Sequence, residues 1–188
     1  MEKTPLTLLE RLRQPNQPDA WARFVELYTP LLLRWARRRR LSDQDAADLV
    51  QEIFVLLVQK LPEFRHDGVR TFRGWLRTLT LNKWRENHRR RTVPAQPVDP
   101  GALANLPAPE NSGLFEEAEY RQYLVHRALE LMKAEFQPQT WKACWEWVVA
   151  GRPAEDVARE LGITLNAVYL AKSRVLTRLR QELAGLLD

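Results

Sequence analysis

The stretch VPAQPVDPGALANLPAPENSG, residues 93–113, limits what this chain can fold into more than any other. It carries Pro94, Pro97, Pro100, Pro107 and Pro109 and no lysine or arginine. Proline lacks a backbone N–H and pushes the residue before it out of helical geometry, so the stretch can neither continue a helix nor sit inside a sheet. It reads as an extended linker. The chain is thereby divided into a unit of residues 1–92, with its core over about 19–92, and a unit of residues 114–188.

Apolar residues recur every three to four positions in both units, the spacing of one helical face. No sustained alternation and no Asn-Gly or Asp-Gly turn suggests a hairpin. The expected fold class is all-α, two small helical domains joined by the proline-rich linker. In the first unit Asp19 is the expected cap of a helix carrying Trp21, Phe24, Val25, Leu27, Tyr28, Leu31, Leu32 and Trp35. Pro30 should kink or divide it. Arg37 to Arg40 end it, where cations meet the negative pole of the helix dipole. Ser42 should cap a second helix carrying Ala46, Leu49, Val50, Ile53, Phe54, Leu57, Val58 and Leu61 and stopping at Pro62. A polar loop leads to a third helix from about Thr71.

The second unit predicts a helix near Leu114 to Phe136 and a tryptophan-rich helix over about 139–150. Next comes a short helix with Pro153 as its first residue. Its stripe is Val157, Ala158 and Leu161. A break at Gly162 precedes a longer helix from near Thr164 with a stripe of Val168, Ala171, Val175 and Leu179. A small residue where two helices approach and a glycine at the bend are what a helix-turn-helix requires. With the stripe inward, Asn166 could pair with adenine, and the lysine and arginines could meet phosphates. An ordinary solvated face has the same pattern. From Gly162 to Arg180 there is no acidic residue.

Composition narrows the rest. A net charge of +5 and a pI of about 9.6 are mild, and matter only where the cations cluster. The single cysteine, Cys144, rules out an intramolecular disulfide framework and a cysteine-based zinc site. It reads as a buried thiol. The histidines His66, His88 and His126 are scattered. The first residues, MEKTPLTLLERLRQ, do not resemble a signal peptide, and no stretch reaches the roughly 20 apolar residues of a membrane span. The expected compartment is the cytoplasm.

Two further patterns bear on chemistry. Asp45, Asp48 and Glu52 fall on one face of the second helix. Paired carboxylates suit metal or acid–base work, but no neighbouring His, Cys or Ser completes such a site. A solvated face and a docking surface for a basic partner remain. The third helix, TFRGWLRTLTLNKWRENHRRR, interleaves aromatics with cations, as single-stranded nucleic acid requires. Phe72, Trp75 and Leu76 read as core, whereas Asn82, Trp84, Arg85, His88 and Arg89 read as a binding face.

Three segments, in order, resemble a bacterial sigma factor of the sigma-70 family, extracytoplasmic-function group. DQDAADLVQEIFVLLVQKLPEFR is similar to the region 2 core helix. FRGWLRTLTLNKWRENHRRR is similar to the promoter-melting helix through Phe72, Trp75, Leu76, Asn82, Glu86 and Arg89. VARELGITLNAVYLAKSRVLTRLR is similar to the region 4 helix-turn-helix. The resemblance implies a transcription initiation factor with no catalytic residue, cofactor or metal. Its partners would be core RNA polymerase, promoter DNA both duplex and single-stranded, and an anti-sigma protein of the kind that often restrains the family; no membrane is implied. Asp45, Asp48, Leu49, Gln51, Glu52 and Phe54 would meet the clamp helices of the largest polymerase subunit. Phe64, Arg65, His66, Arg70, Asn82, Trp84, Arg85, His88 and Arg89 would bind the minus-ten element, with a flipped base between the loop from Phe64 to Arg70 and Asn82. Thr164, Leu165, Asn166, Tyr169, Leu170, Lys172, Ser173, Arg174 and Arg178 would read the minus-thirty-five element. Ala171 and Lys172 depart from the family pattern, and Leu165-Asn166-Ala167 is less polar than usual, so no promoter sequence carries over. A dimeric helix-turn-helix regulator would explain only the second unit. A nucleic-acid-processing enzyme would need the carboxylates of the second helix.

Overall fold

The computed structural model describes residues 6–65, 71–92 and 116–187. The proline-rich stretch, and with it the expected helix start near Leu114, lies outside the described residues. The described residues form eight α-helices and no strand. They are α1 (Leu8–Leu12), α2 (Pro18–Arg38), α3 (Asp43–Lys60), α4 (Phe72–Thr92), α5 (Glu117–Met132), α6 (Pro138–Cys144), α7 (Ala154–Leu161) and α8 (Leu165–Leu183). Short 3₁₀ turns follow α3 at Leu61–Glu63 and α5 at Lys133–Glu135, and α6 runs on into a π turn at Trp145–Val149.

Local chemistry sets most of the boundaries. Thr7 opens α1 with a capping box: its hydroxyl accepts from the Glu10 N–H at 3.2 Å, and the Glu10 carboxylate accepts from the Thr7 N–H at 2.8 Å. Ser42 caps α3 by accepting from the Asp45 N–H at 3.1 Å, as expected. Thr71 accepts from the Gly74 N–H at 3.1 Å at the start of α4. Thr164 accepts from the Ala167 N–H at 3.1 Å at the start of α8. Two expected starts shift. Asp19 does not cap α2; Gln17 holds that position, Pro18 follows it, and Asp19 sits in the first turn where its charge suits the dipole. Pro153 is the residue before α7 rather than its first.

Pro30 does not divide α2, which is continuous around it. A proline inside a helix cannot donate to the carbonyl four residues back, here that of Glu26. That carbonyl accepts instead from Arg127 Nε on α5 at 3.3 Å, and the next one, of Leu27, accepts from the Tyr123 hydroxyl at 3.2 Å. Two groups of the C-terminal unit thus satisfy backbone acceptors at the proline of the N-terminal unit.

The core of the first unit centres on Phe24, whose ring stacks on Tyr28 at 4.4 Å and meets Phe72 and Phe54 edge-on at 6.0 and 6.2 Å. Leu31, Leu32, Trp35, Ala46, Leu49, Val50, Ile53, Leu57, Leu61 and Leu76 extend it. The same apolar cluster continues into Leu124, Ala128, Met132, Trp141, Val175, Leu183 and Leu186 of the second unit. Leu8, Leu9 and Leu12 of α1 belong to it too, since α1 packs against both α2 and α8. Val25 and Val58, expected on buried stripes, are 38% and 54% exposed. Each lies at the margin of its stripe, beyond the reach of the neighbouring helices.

A second cluster of Ala143, Ala154, Val157, Ala158, Val168 and Ala171 holds α6, α7 and α8 together. Small side chains let these helices approach closely. Gly162 ends α7 in the left-handed region, φ 64°, and donates back into the helix in the manner of an αL cap. Cys144 is buried, which pushes its thiol pKa up; Lys172 nearby acts the other way.

A Cβ added at Gly162 meets nothing within 4 Å, whereas one at Gly185, φ 77°, comes within 2.9 Å of Leu9 Cδ2. Gly162→Ala is therefore expected to cost about 1 kcal/mol, from the backbone alone. Gly185→Ala should cost more, because it also crowds α1. Urea unfolding of the two variants beside the wild type checks the order, and equal losses would show that α1 yields freely.

Candidate nucleic-acid and polymerase interface

Three surfaces hold the residues singled out in the sequence. On α3, Asp48 and Gln51 are exposed and Asp48 accepts from Gln44 Nε2 at 3.0 Å. Glu52 is half-buried and tied to α4, accepting from Asn87 Nδ2 at 2.6 Å and pairing with Lys83 Nζ at 3.4 Å. Leu49 is 2% exposed and belongs to the core, and Phe54 packs edge-on against Phe24. Asp45 is half-buried in the first turn of the helix. The exposed part of the acidic face is thus narrower than the spacing suggested: Asp48 and Gln51, with Glu52 at its edge.

On α4, the aromatic and cationic residues form an ordered stack. Trp84 lies parallel to His88 with centroids 5.6 Å apart, and meets Trp35 edge-on at 6.4 Å. The Arg39 guanidinium lies 5.0 Å from the Trp84 ring and 5.5 Å from that of Trp35. Arg39 is one of the four arginines that close α2, so the run ending one helix supports the aromatic face of another. His88 and Arg89 are exposed, Trp84 and Arg85 are half-buried, and Asn82 is 8% exposed with its Oδ1 3.4 Å from Arg85 Nη1.

The loop before α4 is placed in part. Phe64 is buried, 4.9 Å from the Trp75 ring and 5.8 Å from Phe72, and its carbonyl accepts from Arg13. Arg65 turns back onto the carbonyl of Pro62 at 2.9 Å. His66 and Arg70 lie outside the described residues. Phe64 is therefore a wall of the core behind the loop, and its side chain is not presented to solvent.

On α8, the first three turns carry Asn166, Tyr169, Leu170, Ser173 and Arg174, all exposed, opposite the buried Val168, Ala171 and Val175. Leu165 is half-buried against the small cluster beneath. Trp147, which the sequence reading did not single out, organises this face: Tyr169 lies 5.1 Å from its ring and Lys172 Nζ lies 4.3 Å over it. The tryptophan-rich helix in front of the motif was the available signal. Arg178 is turned away, holding Glu135 at 2.8 Å and Glu182 at 2.6 Å. Burial works against its charge, and the two carboxylates more than offset that and hold its pKa above the ordinary guanidinium value. Arg152 is likewise engaged, at 2.6 Å from Glu160 and 3.0 Å from Glu146.

Among the described residues there is no group of three or more His, Cys, Asp or Glu arranged to hold a metal ion, and no helix long and apolar enough to cross a membrane. What the three surfaces offer is charge, aromatic area and hydrogen-bonding groups.

Comparison with known proteins agrees with the geometry. Residues 24–93, from α2 to just beyond α4, match the sigma-70 region 2 family. The chain is 27% identical over 175 residues to the ECF RNA polymerase sigma factor SigD of Mycobacterium tuberculosis, covering 89% of this chain and 78% of that one. It is 25% identical over 165 residues to the ECF RNA polymerase sigma factor SigE of Mycolicibacterium smegmatis, covering 88% of this chain and 62% of that one. Residues 24–93 thus carry a sigma-70 region 2, and the all-helical chain is similar over most of its length to sigma factors of the extracytoplasmic-function group.

Proposed function

We propose that this chain binds core RNA polymerase through the exposed acidic face of α3, recognises a minus-ten element with α4 and the loop before it, and reads a minus-thirty-five element with the first three turns of α8. The observation that carries the reading is the exposed face of α8. Asn166, Tyr169, Leu170, Ser173 and Arg174 stand outward from a helix whose opposite side is locked onto α7 around a left-handed glycine. That is the presentation a helix needs to enter the major groove by its N-terminal half. Asn166 has the amide that pairs bidentately with adenine, and Tyr169 and Leu170 offer apolar surface for a thymine methyl. Thr164 sits at the helix N-terminus, where backbone N–H groups favour a phosphate.

Melting is supported by the second surface. A flipped or unpaired base costs a few kcal/mol to extrude, and stacking on an aromatic ring offsets about 1–3 kcal/mol per base. The Trp84–His88 stack, stiffened by Arg39, supplies such a platform, with Arg85 and Arg89 beside it for the backbone. Asn82 is buried on the same helix, and Phe64 lies in the core behind the loop, packed on Phe72 and Trp75. The polymerase supplies the chemistry of RNA synthesis, and the chain contributes binding surfaces.

The reading is tested by transcription in vitro with purified core polymerase, which should initiate at specific start sites only when this chain is added. Asp48→Arg is expected to weaken the complex with core polymerase by about tenfold without loss of helicity, because Asp48 is exposed and structurally dispensable. Unchanged affinity in a titration removes α3 from the interface. Arg174→Ala should lower duplex affinity for every sequence and reduce the salt slope by about 1, whereas Arg178→Ala should leave that slope unchanged. Equal slopes for the two variants would mean that Arg178 releases its carboxylates to meet phosphate.

A further inference from the structure

We infer that Arg40 occupies an unfavourable backbone conformation because its charge is used outside the fold, where it meets the phosphate backbone of a nucleic-acid strand lying across the Trp84–His88 stack. This rests on the proposed minus-ten reading for the identity of the strand, though not for the geometry of the turn. Two non-glycine residues among those described have positive φ, Asn16 at 56° and Arg40 at 59°. Asparagine enters the left-handed region readily, whereas a long side chain there sets its Cβ against the following carbonyl oxygen. Arg40 is the first residue past the cap of α2. The Arg39 N–H donates to the Trp35 and Ala36 carbonyls, and the Arg40 N–H to that of Arg37. Glycine fits such a position without strain, as Gly162 does at the end of α7.

Inside the fold the Arg40 charge has no use. Its three predecessors in the run are engaged. Arg37 Nε pairs with Asp43 at 3.0 Å, and Arg38 Nη2 holds Glu119 across the seam between the two units at 2.9 Å. Arg39 lies over the rings of Trp35 and Trp84. The Arg40 side chain is exposed and makes no hydrogen bond, ion pair or ring contact with another described residue. The helix dipole does not account for it either. Arg37 and Arg38 already stand in the last turn of α2, and the attraction falls off beyond that turn.

Placement points to the ligand. Arg39, just before Arg40, has its guanidinium 5.0 Å from the Trp84 ring. Leu41, just after it, lines a small cleft together with Trp84, Asn87 and His88. Arg40 is thus bracketed by two residues that border the stack and stands at its rim. Single strands are held by bases on aromatic faces and phosphates on flanking cations, and a guanidinium fork matches two phosphate oxygens. An acidic protein surface could also take a lone arginine, but it would gain little from the aromatic area alongside.

Three variants of the full chain test this. Arg40→Gly removes charge and strain, Arg40→Asn removes the charge at a residue type that tolerates the turn, and Arg40→Lys keeps both. In urea the unfolding midpoint of Arg40→Gly should rise by about 0.4 M, with Arg40→Lys at the wild-type value. An unchanged or lower midpoint for Arg40→Gly shows that the position costs nothing and overturns the inference. Binding is read as the anisotropy of a labelled single-stranded deoxyoligonucleotide of mixed sequence, added to the chain with core polymerase, with core alone as baseline. Arg40→Gly and Arg40→Asn should lower affinity about fivefold at low salt and reduce the salt slope by about 0.7, while Arg40→Lys keeps the wild-type slope. Unchanged slopes in the first two overturn the inference. So does an intact slope with weakened binding of core polymerase, which would set the charge against an acidic polymerase surface. His88→Ala separates the inference from the reading beneath it. If His88→Ala binds as the wild type does and Arg40→Gly loses slope, the phosphate contact stands and the stacking platform falls. If His88→Ala weakens binding and Arg40→Gly does not, the platform stands alone. A wild type that holds no strand above the core baseline defeats both.

Discussion

The arrangement of the described chain turns on a buried pair of hydroxyls. Tyr28 on α2 and Tyr120 on α5 meet at 2.7 Å with almost no exposure, and the Tyr120 hydroxyl donates in turn to the backbone carbonyl of Leu186. A hydroxyl in an apolar core is costly unless it is bonded, and these two satisfy each other only when the two units are docked. Burial raises both tyrosine pKa values well above the ordinary phenol range, so both remain protonated and able to donate. The apolar cluster on either side, from Phe24 to Leu186, follows from that registration. So does the position of α1, which fits only because α2 and α8 lie close enough for one short helix to cover both.

The same registration divides the cations into two populations. Arg23, Arg38, Arg73 and Arg178 hold carboxylates, several of them across the seam, and Lys172 and Arg39 lie over tryptophan rings. Their charge is spent on structure. Arg174 on α8 stands exposed on the face proposed to meet DNA. A net charge of +5 therefore says little by itself about the local field, because many of the arginines stand beside carboxylates. The aromatic residues divide in a similar way. Phe64 and Phe72 are core, whereas Trp84 and Trp147 are half-buried platforms steadied by neighbouring cations.

Much of the fold was legible because its signals are local. The caps at Ser42 and Thr164, the left-handed glycine at 162 and the stripe of Val168, Ala171 and Val175 each depend on residues within a few positions of one another. Asp19 misled because a proline at the first helical position already starts α2, leaving the carboxylate to act on the dipole. The candidate site was legible in outline and less so in membership. Leu49, Phe64 and Asn82 lie in motifs that resemble functional ones, and their burial is decided by what packs against them from other helices. Trp147 escaped notice because its role comes from Tyr169 and Lys172, more than twenty positions later.

By itself the sequence determined the fold class, the order of the helices, the outward face of the N-terminal half of α8 and the acidic character of α3. These follow from helical periodicity, capping chemistry and charge pattern, all of which act over a few turns. Only the tertiary structure decided which charged residues remain available. Arg178 and Glu52 read as surface residues along the chain, yet each is held by partners on another helix. It also decided that Pro30 is a docking point, because the donor that replaces its missing N–H comes from Arg127, far away in sequence. Such pairings depend on the distance between helices in space, and no local pattern encodes that distance.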